Sequence, residues 1–196
     1  TQAQVCGNLK FDMQLPHVAV DAGHHWRETL ARQVVAIAST REGEDRPFVE
    51  LIQAGLDASA DTPKPLYLLI PRHPQRFDEA ARLLDTAGLR YARWSTLRDD
   101  PQSADHLMGL DVVLGDTMGE MPFFYAAADV AVVGGSFEPH GGQNFIEACA
   151  IGTAVIVGPH TRHFAQAVTS AQQAQAIVQV DTAKAAFDQV QQWLRA

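Results

Sequence analysis

The sequence predicts an α/β fold, a doubly wound, mostly parallel six-stranded sheet with helices on both faces. Two observations carry this prediction. Short apolar runs rich in β-branched residues recur along the chain, bounded by Gly, Pro or Asp, which is typical of strands covered on both faces. Longer amphipathic stretches separate these runs, and such alternation indicates right-handed βαβ units.

Each predicted element follows from its local pattern. The strands cover residues 34–39 (VVAIAS), 66–70 (LYLLI), 111–114 (DVVL), 130–133 (VAVV), 153–157 (TAVIV) and 177–180 (IVQV). The helices cover residues 22–32, 47–58, 76–87, 120–128, 144–150, 163–171 and 183–194. In the third helix, Phe77, Ala80 and Leu84 belong to an apolar stripe, and Gly88 suits the position after the helix end. Residues 98–109 are predicted to be a surface loop and residues 61–65 a turn.

Length and composition place the chain among ordinary globular proteins. Its 196 residues, 46% hydrophobic and 19% charged, predict one domain over residues 1–196. The first residue is not Met, and the opening reads as a piece of a longer protein. The net charge of -8 argues against nucleic acid as a partner, because such binding needs clustered Lys and Arg. No apolar run approaches the ~18 residues of a membrane helix, no signal peptide is visible, and Cys6 and Cys149 are predicted to be reduced thiols.

The loops that follow the predicted strands are the candidate functional region. In an open α/β sheet, ligands bind outside the carboxyl ends of the strands. Residues 40–44, 71–74, 115–120, 134–142 and 158–161 occupy those positions and are rich in Gly, Pro, Arg, His and carboxylates. The sequence therefore predicts a ligand site at this edge of the sheet.

The segment Gly141-Gly142-Gln143-Asn144 leads into a predicted helix and is a candidate anion site. Backbone N–H groups at a helix start attract anions, and glycines let a phosphate come close. Glu147, one turn further on, is a candidate for binding two ribose hydroxyls. The alternative is a capping box in which Asn144 caps the helix and Glu147 closes it, and both interpretations can hold together.

Two further loops carry candidate ligand contacts. Arg72 follows a strand and is flanked by prolines, and its guanidinium can bind a phosphate or carboxylate with two hydrogen bonds. A surface ion pair is the alternative for Arg72. Met118, Gly119 and Glu120 begin a predicted helix, where backbone groups can read a base edge while Met118 packs on the ring. The alternative there is a plain helix start with core methionines.

Other chemistries have weaker support in the sequence. His160 and His163 form an i, i+3 pair, but two histidines without a third ligand are weak evidence for a metal, so His160 is interpreted as a donor contact or a loop-forming residue. The glycine spacing does not match a dinucleotide fingerprint, no phosphate-loop lysine follows, and no nucleophile triad is readable. An NAD-dependent oxidoreductase is therefore disfavoured.

Several motifs together resemble one enzyme family. The stretches VCGNLKFD, AIASTREGE, LLIPRHPQRF, GDTMGEMPFFYAAADVAVVGGS and GGQNFIEACAIGTAVIVGPHTRHF, in this order, resemble the 3-deoxy-D-manno-octulosonic acid (Kdo) transferases of lipopolysaccharide synthesis. The resemblance extends from Val5 to about Ala167. The double-glycine and Asn-x-x-Glu portion alone indicates only the donor domain of a GT-B glycosyltransferase.

The resemblance implies a function and assigns different parts of it to two domains. The family has two Rossmann-like domains, and this chain resembles the C-terminal, donor-binding half of the GT-B fold. The implied donor is CMP-Kdo and the acceptor a lipid A precursor, with inversion and with no metal or other cofactor. The general base and the membrane-associated acceptor surface are expected in the missing N-terminal domain. No catalytic residue is therefore expected here, this chain alone is expected to be inactive, and the full-length protein is expected at the cytoplasmic face of the bacterial inner membrane.

The resemblance and the loop chemistry together assign the candidate site residues. The donor or nucleotide contacts are expected at Pro71, Arg72, His73, Met118, Gly119, Glu120, Gly135, Ser136, Gly141, Gly142, Asn144 and Glu147. Arg41 and His160 are candidates for contacts to the donor sugar. Gln143, where the family usually has His, and Ala148, where Pro is common, depart from the pattern. The alternatives are a donor domain for a UDP- or ADP-sugar and a non-catalytic nucleotide-binding module.

Overall fold

The computed structural model describes residues 14–58, 64–99 and 107–195 and arranges them around a seven-stranded sheet. The strands are β1 (Val34–Thr40), β2 (Leu66–Pro71), β3 (Tyr91–Arg93), β4 (Val112–Leu114), β5 (Val130–Val133), β6 (Ala154–Val157) and β7 (Ile177–Gln179). The helices are α1 (His17–Glu28), α2 (Asp45–Ala58), α3 (Phe77–Thr86), α4 (Trp94–Leu97), α5 (Met121–Ala126), α6 (Ile146–Ile151), α7 (Ala165–Gln173) and α8 (Ala183–Leu194).

The sheet confirms the predicted fold class, with one more strand than expected. The strand order is β3-β4-β2-β1-β5-β6-β7, and all the pairings are parallel. The prediction of six strands was wrong because β3 was missed. This strand has three residues, lies at the sheet edge and is only half-buried, so it lacks the apolar run that marks a central strand.

Helices cover both faces of the sheet, as the apolar runs predicted. Successive strand residues point to opposite faces, so Val34 and Ala36 of β1 join one buried cluster and Val35 and Ile37 join the other. The first cluster also contains residues of α5, α6 and α7, with Trp26 of α1 packed against it. The second contains residues of α2, α3 and α8.

Helix boundaries differ most from the prediction at the first helix, and by at most two residues at the other predicted helices. The first helix begins at His17 and ends at Glu28, and Pro16 occupies its N-cap position. The short helix α6 begins at Ile146, two residues after the predicted start. The four-residue helix α4 was not predicted. Parts of the predicted turn 61–65 and loop 98–109 lie outside the described residues.

The chain path creates a crevice at the carboxyl edge of the sheet. From β1 the chain continues to β2 on one side, whereas β5 lies on the other side of β1 and leads on to β6 and β7. Loops leaving adjacent strands in opposite directions open a crevice between them, which is where ligands bind in such sheets. No helix within the described ranges is long and apolar enough to cross a membrane.

Candidate functional site

A cleft of about 330 Å³ lies at the carboxyl ends of β1, β2, β4 and β5. This volume falls at the lower end of the range usual for small-molecule sites. Its lining is formed by Ser39, Ile70, Pro71, Arg72, Thr117, Met118, Gly119, Met121, Tyr125, Gln143, Asn144 and Glu147. The predicted location, the edge where these loops meet, is therefore where the structure has its cleft.

The structure brings together half of the predicted nucleotide contacts. Those in the cleft lining are Pro71, Arg72, Met118, Gly119, Asn144 and Glu147. Those outside the lining are His73, Glu120, Gly135, Ser136, Gly141 and Gly142, as are the two sugar-contact candidates Arg41 and His160. The ligand contacts themselves stay predictions.

Arg72 is held at the cleft by its backbone and its side chain. Its N–H donates to the Thr40 carbonyl at the end of β1 (2.9 Å), which ties the two loops together. Its Nε–H donates to Oε1 of Gln143 across the cleft (3.2 Å). Arg72 forms no ion pair with any carboxylate of the described residues, so the surface-pair alternative has no support there.

Positive charge concentrates beside Arg72. The pKa of His73 is lowered, first by partial desolvation and then by the charges of Arg41, Arg72 and Arg76. Arg76 is neutralised locally, because it forms an ion pair with the buried carboxylate of Asp45 at 2.5 Å. Arg41 and Arg72 thus remain as the cations of this cluster without a carboxylate partner among the described residues, and both suit an anionic ligand.

Glu147 is a half-buried carboxylate in the lining of the cleft. It lies in the first turn of α6 and makes no hydrogen bond to another described residue. Burial raises its pKa. The capping box, which was the alternative interpretation, is not formed, because Phe145 occupies the N-cap position of α6 and no side chain caps the helix. Asn144 instead accepts a hydrogen bond at Oδ1 from the N–H of Ile146 (3.2 Å).

Ser39 and Tyr125 also line the cleft and were not predicted as site residues. Ser39 has a φ of 56° and lies at a register shift between β1 and β2. The Tyr125 side chain is buried, and its hydroxyl donates to the Asn144 carbonyl (3.4 Å). Burial and then the negative charge of Glu147 raise the Tyr125 pKa, so the phenol stays neutral at ordinary pH. A strained serine at the end of an apolar strand leaves no sequence signal.

The double glycines shape the loop after β5. Gly135, Gly141 and Gly142 have φ values of 64°, 93° and 90°, which L side chains rarely adopt. A Cβ on Gly135 would lie 2.7 Å from Cγ of Gln143, and one on Gly141 would lie 2.5 Å from the His163 ring. Protein atoms fill these spaces. The glycines therefore let the loop pack on itself at Gly135 and against the segment after β6 at Gly141. Contact between Gly142 and a ligand stays a prediction.

Glu44 anchors the same loop and was missed as a key residue. Its carboxylate is 2% exposed. Oε2 accepts hydrogen bonds from the N–H groups of Arg41 (2.8 Å) and Gly135 (2.6 Å), and Oε1 accepts from Phe137 (2.9 Å) and Glu138 (3.3 Å). Backbone N–H groups thus surround the charge and compensate for its burial.

Ser136 also forms hydrogen bonds within the protein. Its hydroxyl donates to the Val133 carbonyl (2.6 Å) and accepts from the N–H of Gly158 (2.8 Å). These bonds join the loops after β5 and β6. The Ser136 hydroxyl thus spends its only donor within the protein, and the residue does not line the cleft.

Glu120 and Met118 behave differently although they are two residues apart. Glu120 forms an ion pair with Arg98 at 3.5 Å and does not line the cleft. Met118 is 54% exposed at the cleft, which is unusual for a large apolar side chain. Gly119 between them has a φ of 80°. The exposed thioether favours the ring-packing interpretation of Met118 over a core methionine.

A second cleft of about 340 Å³ lies beside the first, after β6. It is lined by Pro139, Gly141, Pro159, His160, Thr161, Arg162 and Ala165. His160 and Arg162 are exposed there and supply its basic character. The structure thus separates His160 from the Arg72 cleft and places it with Gly141.

The cysteines and the candidate metal ligands show no special chemistry within the described residues. Within residues 14–58, 64–99 and 107–195, no group of three or more His, Cys, Asp or Glu side chains could hold a metal ion. Cys149 is a free thiol whose pKa burial raises to about 11. Cys6 lies outside the described residues, so its redox state stays a prediction.

The fold and the cleft define a class of protein: a Rossmann-like α/β domain with a ligand cleft at the switch point of its parallel sheet. No protein-family model matches the chain. Comparison with individual proteins is more specific. The chain is 56% identical over 184 residues to the 3-deoxy-D-manno-octulosonic acid transferase of Bordetella pertussis, and 32% identical over 188 residues to that of Haemophilus influenzae. The chain is thus a relative of the Kdo transferases, as its motifs predicted.

A solved structure agrees with these relatives. The C-terminal CMP-Kdo binding domain of WaaA from Acinetobacter baumannii superposes with a TM-score of 0.76 at 28% identity, covering 88% of this chain and 86% of that one. The two curated relatives each match 94% of this chain, but the chain spans only 42% of their length. The similarity therefore concerns one part of those enzymes.

Proposed function

We propose that the chain is the donor-binding domain of an inverting Kdo transferase and that the Arg72 cleft binds CMP-Kdo. One observation gives the main support: three separate motifs contribute residues to one cleft at the switch point. These residues are Arg72, Met118, Asn144 and Glu147. The likeness to a CMP-Kdo binding domain supports the choice of donor.

The cleft has a suitable group for each part of a cytidine nucleotide. Arg72 offers unpaired N–H groups to the phosphate, and charge-assisted bonds of this kind are the stronger ones. Glu147 offers a carboxylate without a described partner to the ribose hydroxyls. Met118 and the backbone at Gly119 face the cleft and suit the base. Held rigidly, such donors also stabilise the charge on a departing phosphate.

The remaining steps belong to the whole enzyme and extend the proposal. The sugar and its carboxylate lie toward Arg41 and His160, whose basic character suits an anion. A separate N-terminal domain binds the lipid A precursor and supplies the general base. The full-length enzyme works at the cytoplasmic face of the inner membrane. No metal cofactor takes part, so a chelator leaves CMP affinity unchanged, and this chain alone transfers no sugar.

Calorimetric titration of the chain with CMP, UMP and ADP tests the proposal. CMP is expected to bind more tightly than UMP or ADP. Arg72→Ala is expected to weaken CMP binding about 10- to 100-fold, because an ionic hydrogen bond contributes about 1.5–3 kcal/mol. Glu147→Ala is expected to weaken it about 10-fold. Arg82→Ala and Glu50→Ala, at exposed positions on α3 and α2, are the matched controls.

The outcomes separate the competing functions. Preference for UMP or ADP would indicate a donor domain for another sugar nucleotide. CMP binding without any transfer, even after a relative's N-terminal domain is supplied, would favour a non-catalytic nucleotide-binding module. Unchanged affinity in the Arg72 and Glu147 variants would place the nucleotide elsewhere and contradict the proposed cleft.

A further inference from the structure

Gln143 lies between the predicted phosphate ligand and the glycine loop. Its Oε1 accepts the Nε–H of Arg72 at 3.2 Å. Its Cγ occupies the space beside Gly135, where a Cβ would lie only 2.7 Å away. The side chain is half-buried and lines the same cleft as Arg72. Gln143 is therefore packed at its stem and hydrogen-bonded at its tip.

We propose that Gln143 is a positioning residue that fixes the guanidinium of Arg72 for an anionic group of the nucleotide. This inference rests on the proposed function and adds a specific role to a residue that has none in it. The Gln143 amide engages only Nε, so it leaves both Nη groups of Arg72 without a partner among the described residues. Those two groups form the free edge of the guanidinium, which can bind two phosphate oxygens.

An amide suits this task better than a carboxylate would. A carboxylate at position 143 would also accept the Nε–H, but its charge would offset that of Arg72 and repel an anionic ligand. The neutral amide orients the guanidinium and leaves its full charge available to the ligand. Arg side chains lose considerable rotamer freedom when fixed, and fixing Arg72 before the ligand arrives lowers that cost of binding.

The support for Gln143 is itself anchored in the buried structure. The Gly135 carbonyl accepts the N–H of Gly142 at 2.6 Å, and the Gly135 N–H donates to the buried Glu44 carboxylate, also at 2.6 Å. The glycine pairs of the loop therefore affect where Gln143 can pack. The lack of a side chain at Gly135 makes the room into which Gln143 packs.

The test compares Gln143→Met with the unmodified chain by calorimetric titration of CMP and of cytidine. Methionine keeps the side-chain length and the packing beside Gly135 but removes the acceptor. CMP affinity is expected to fall about 3- to 10-fold, the usual effect of losing one hydrogen bond. Cytidine affinity is expected to stay the same, because cytidine has no phosphate. Gln53→Met, at an exposed position on α2, is the matched control.

A second comparison shows whether Gln143 acts through Arg72. In an Arg72→Ala background, Gln143→Met is expected to cause no further loss of CMP affinity. The Nε–H resonance of Arg72 in NMR spectra of the unliganded chain gives an independent signature: Gln143→Met should increase its exchange with water while the backbone spectrum keeps its native dispersion.

Each contrary result has a distinct meaning. Equal CMP affinity in Gln143→Met and the unmodified chain would overturn the positioning role while leaving the CMP site standing. Equal losses for CMP and cytidine, or a further loss in the Arg72→Ala background, would show a structural role and also overturn it. Absence of CMP binding to the unmodified chain would overturn the proposed function and this inference with it.

Discussion

At the residue scale, the half-buried carboxylate of Glu147 lowers the stability of the unliganded chain. A half-buried carboxylate without a hydrogen-bond partner among the described residues loses hydration and receives nothing in return. Burial raises its pKa, so the folded state binds this proton more tightly than the unfolded state does. Such a group favours folding at pH values below the unfolded pKa, and this contribution is lost as the pH rises through the folded pKa. At neutral pH the ionised group therefore costs stability.

Glu147→Gln is expected to stabilise the unliganded chain near neutral pH and to weaken CMP binding. The gain is expected to stay below about 1 kcal/mol, because solvent screens a side chain that is half exposed. It should shrink as the pH falls toward the ordinary glutamate pKa of about 4.3, where the native residue becomes neutral too. Urea unfolding across this pH range measures it, with Glu50→Gln on the exposed face of α2 as control. A loss of stability at neutral pH would contradict this account.

At the residue scale, the sequence placed some residues at the cleft from their positions relative to the predicted strands and helices, while their roles stay predictions. Arg72 was selected because it directly follows a predicted strand, and the carboxyl ends of parallel strands share one edge. Glu147 was selected because it lies one turn into the helix that follows the double-glycine segment. Gln143 and Tyr125 also line the cleft but were not selected. Their roles depend on contacts with residues distant in sequence, such as the bond from Arg72 to Gln143. No local pattern in one sequence reports such pairs.

At the scale of elements, the loop after β5 depends on the segment before α2. The four N–H groups that surround the Glu44 carboxylate come from residues on both of these segments. Gly134 permits the approach, because a Cβ there would lie 2.8 Å from Oε2 of Glu44. The two segments follow the adjacent strands β1 and β5, so one buried carboxylate stabilises both sides of the switch point.

Glu44→Gln is expected to destabilise the chain by about 2–3 kcal/mol. An amide has one acceptor oxygen in place of two, and its NH2 group would face two backbone donors. Urea unfolding measures the loss, and faster hydrogen exchange at the Gly135 amide would locate it. Glu42→Gln is the control, because Glu42 lies two residues away with an exposed side chain. Equal stability of the two variants would show that the Glu44 bonds contribute little.

The fully buried central strands were the elements that the sequence predicted closely. The strands β1 and β2 are buried along their whole length, and their predicted and observed ranges differ by one residue at the carboxyl end. The edge strand β3 was missed, because its three residues, Tyr, Ala and Arg, are all only half-buried. The start of α6 was predicted too early, since Asn144 bonds to Ile146 in a turn before the helix. Marginal elements depend on tertiary contacts more than on local pattern.

At the scale of the whole molecule, the sheet divides the interior into two apolar clusters. Ile37 at the middle of β1 is fully buried in one of them, together with Leu69 of β2 and Val132 of β5. The other cluster contains the aromatic group in which Trp94 stacks on Phe123 with ring centroids 4.7 Å apart. The cleft lies over the ends of strands that both clusters hold in place.

Ile37→Ala is expected to lower the free energy of unfolding by about 2–5 kcal/mol, because it leaves a cavity between three central strands. Val18→Ala on α1 removes an apolar group that is 86% exposed and should change stability by less than about 0.5 kcal/mol. Urea unfolding followed by tryptophan fluorescence measures both. Similar small effects for the two variants would contradict the central place of β1 in the core.

The sequence by itself determined the fold class, six of the seven strands, the edge of the sheet where the cleft lies, and the Kdo transferase resemblance. It could do so because buried strands need unbroken apolar runs and loop positions follow from strand order. Only the tertiary structure decided that Gly135 and Gly142 pack against the protein itself, that Glu44 holds their loop, and that Gln143 meets Arg72. These contacts join residues tens of positions apart, and their geometry exists only once the strands lie side by side.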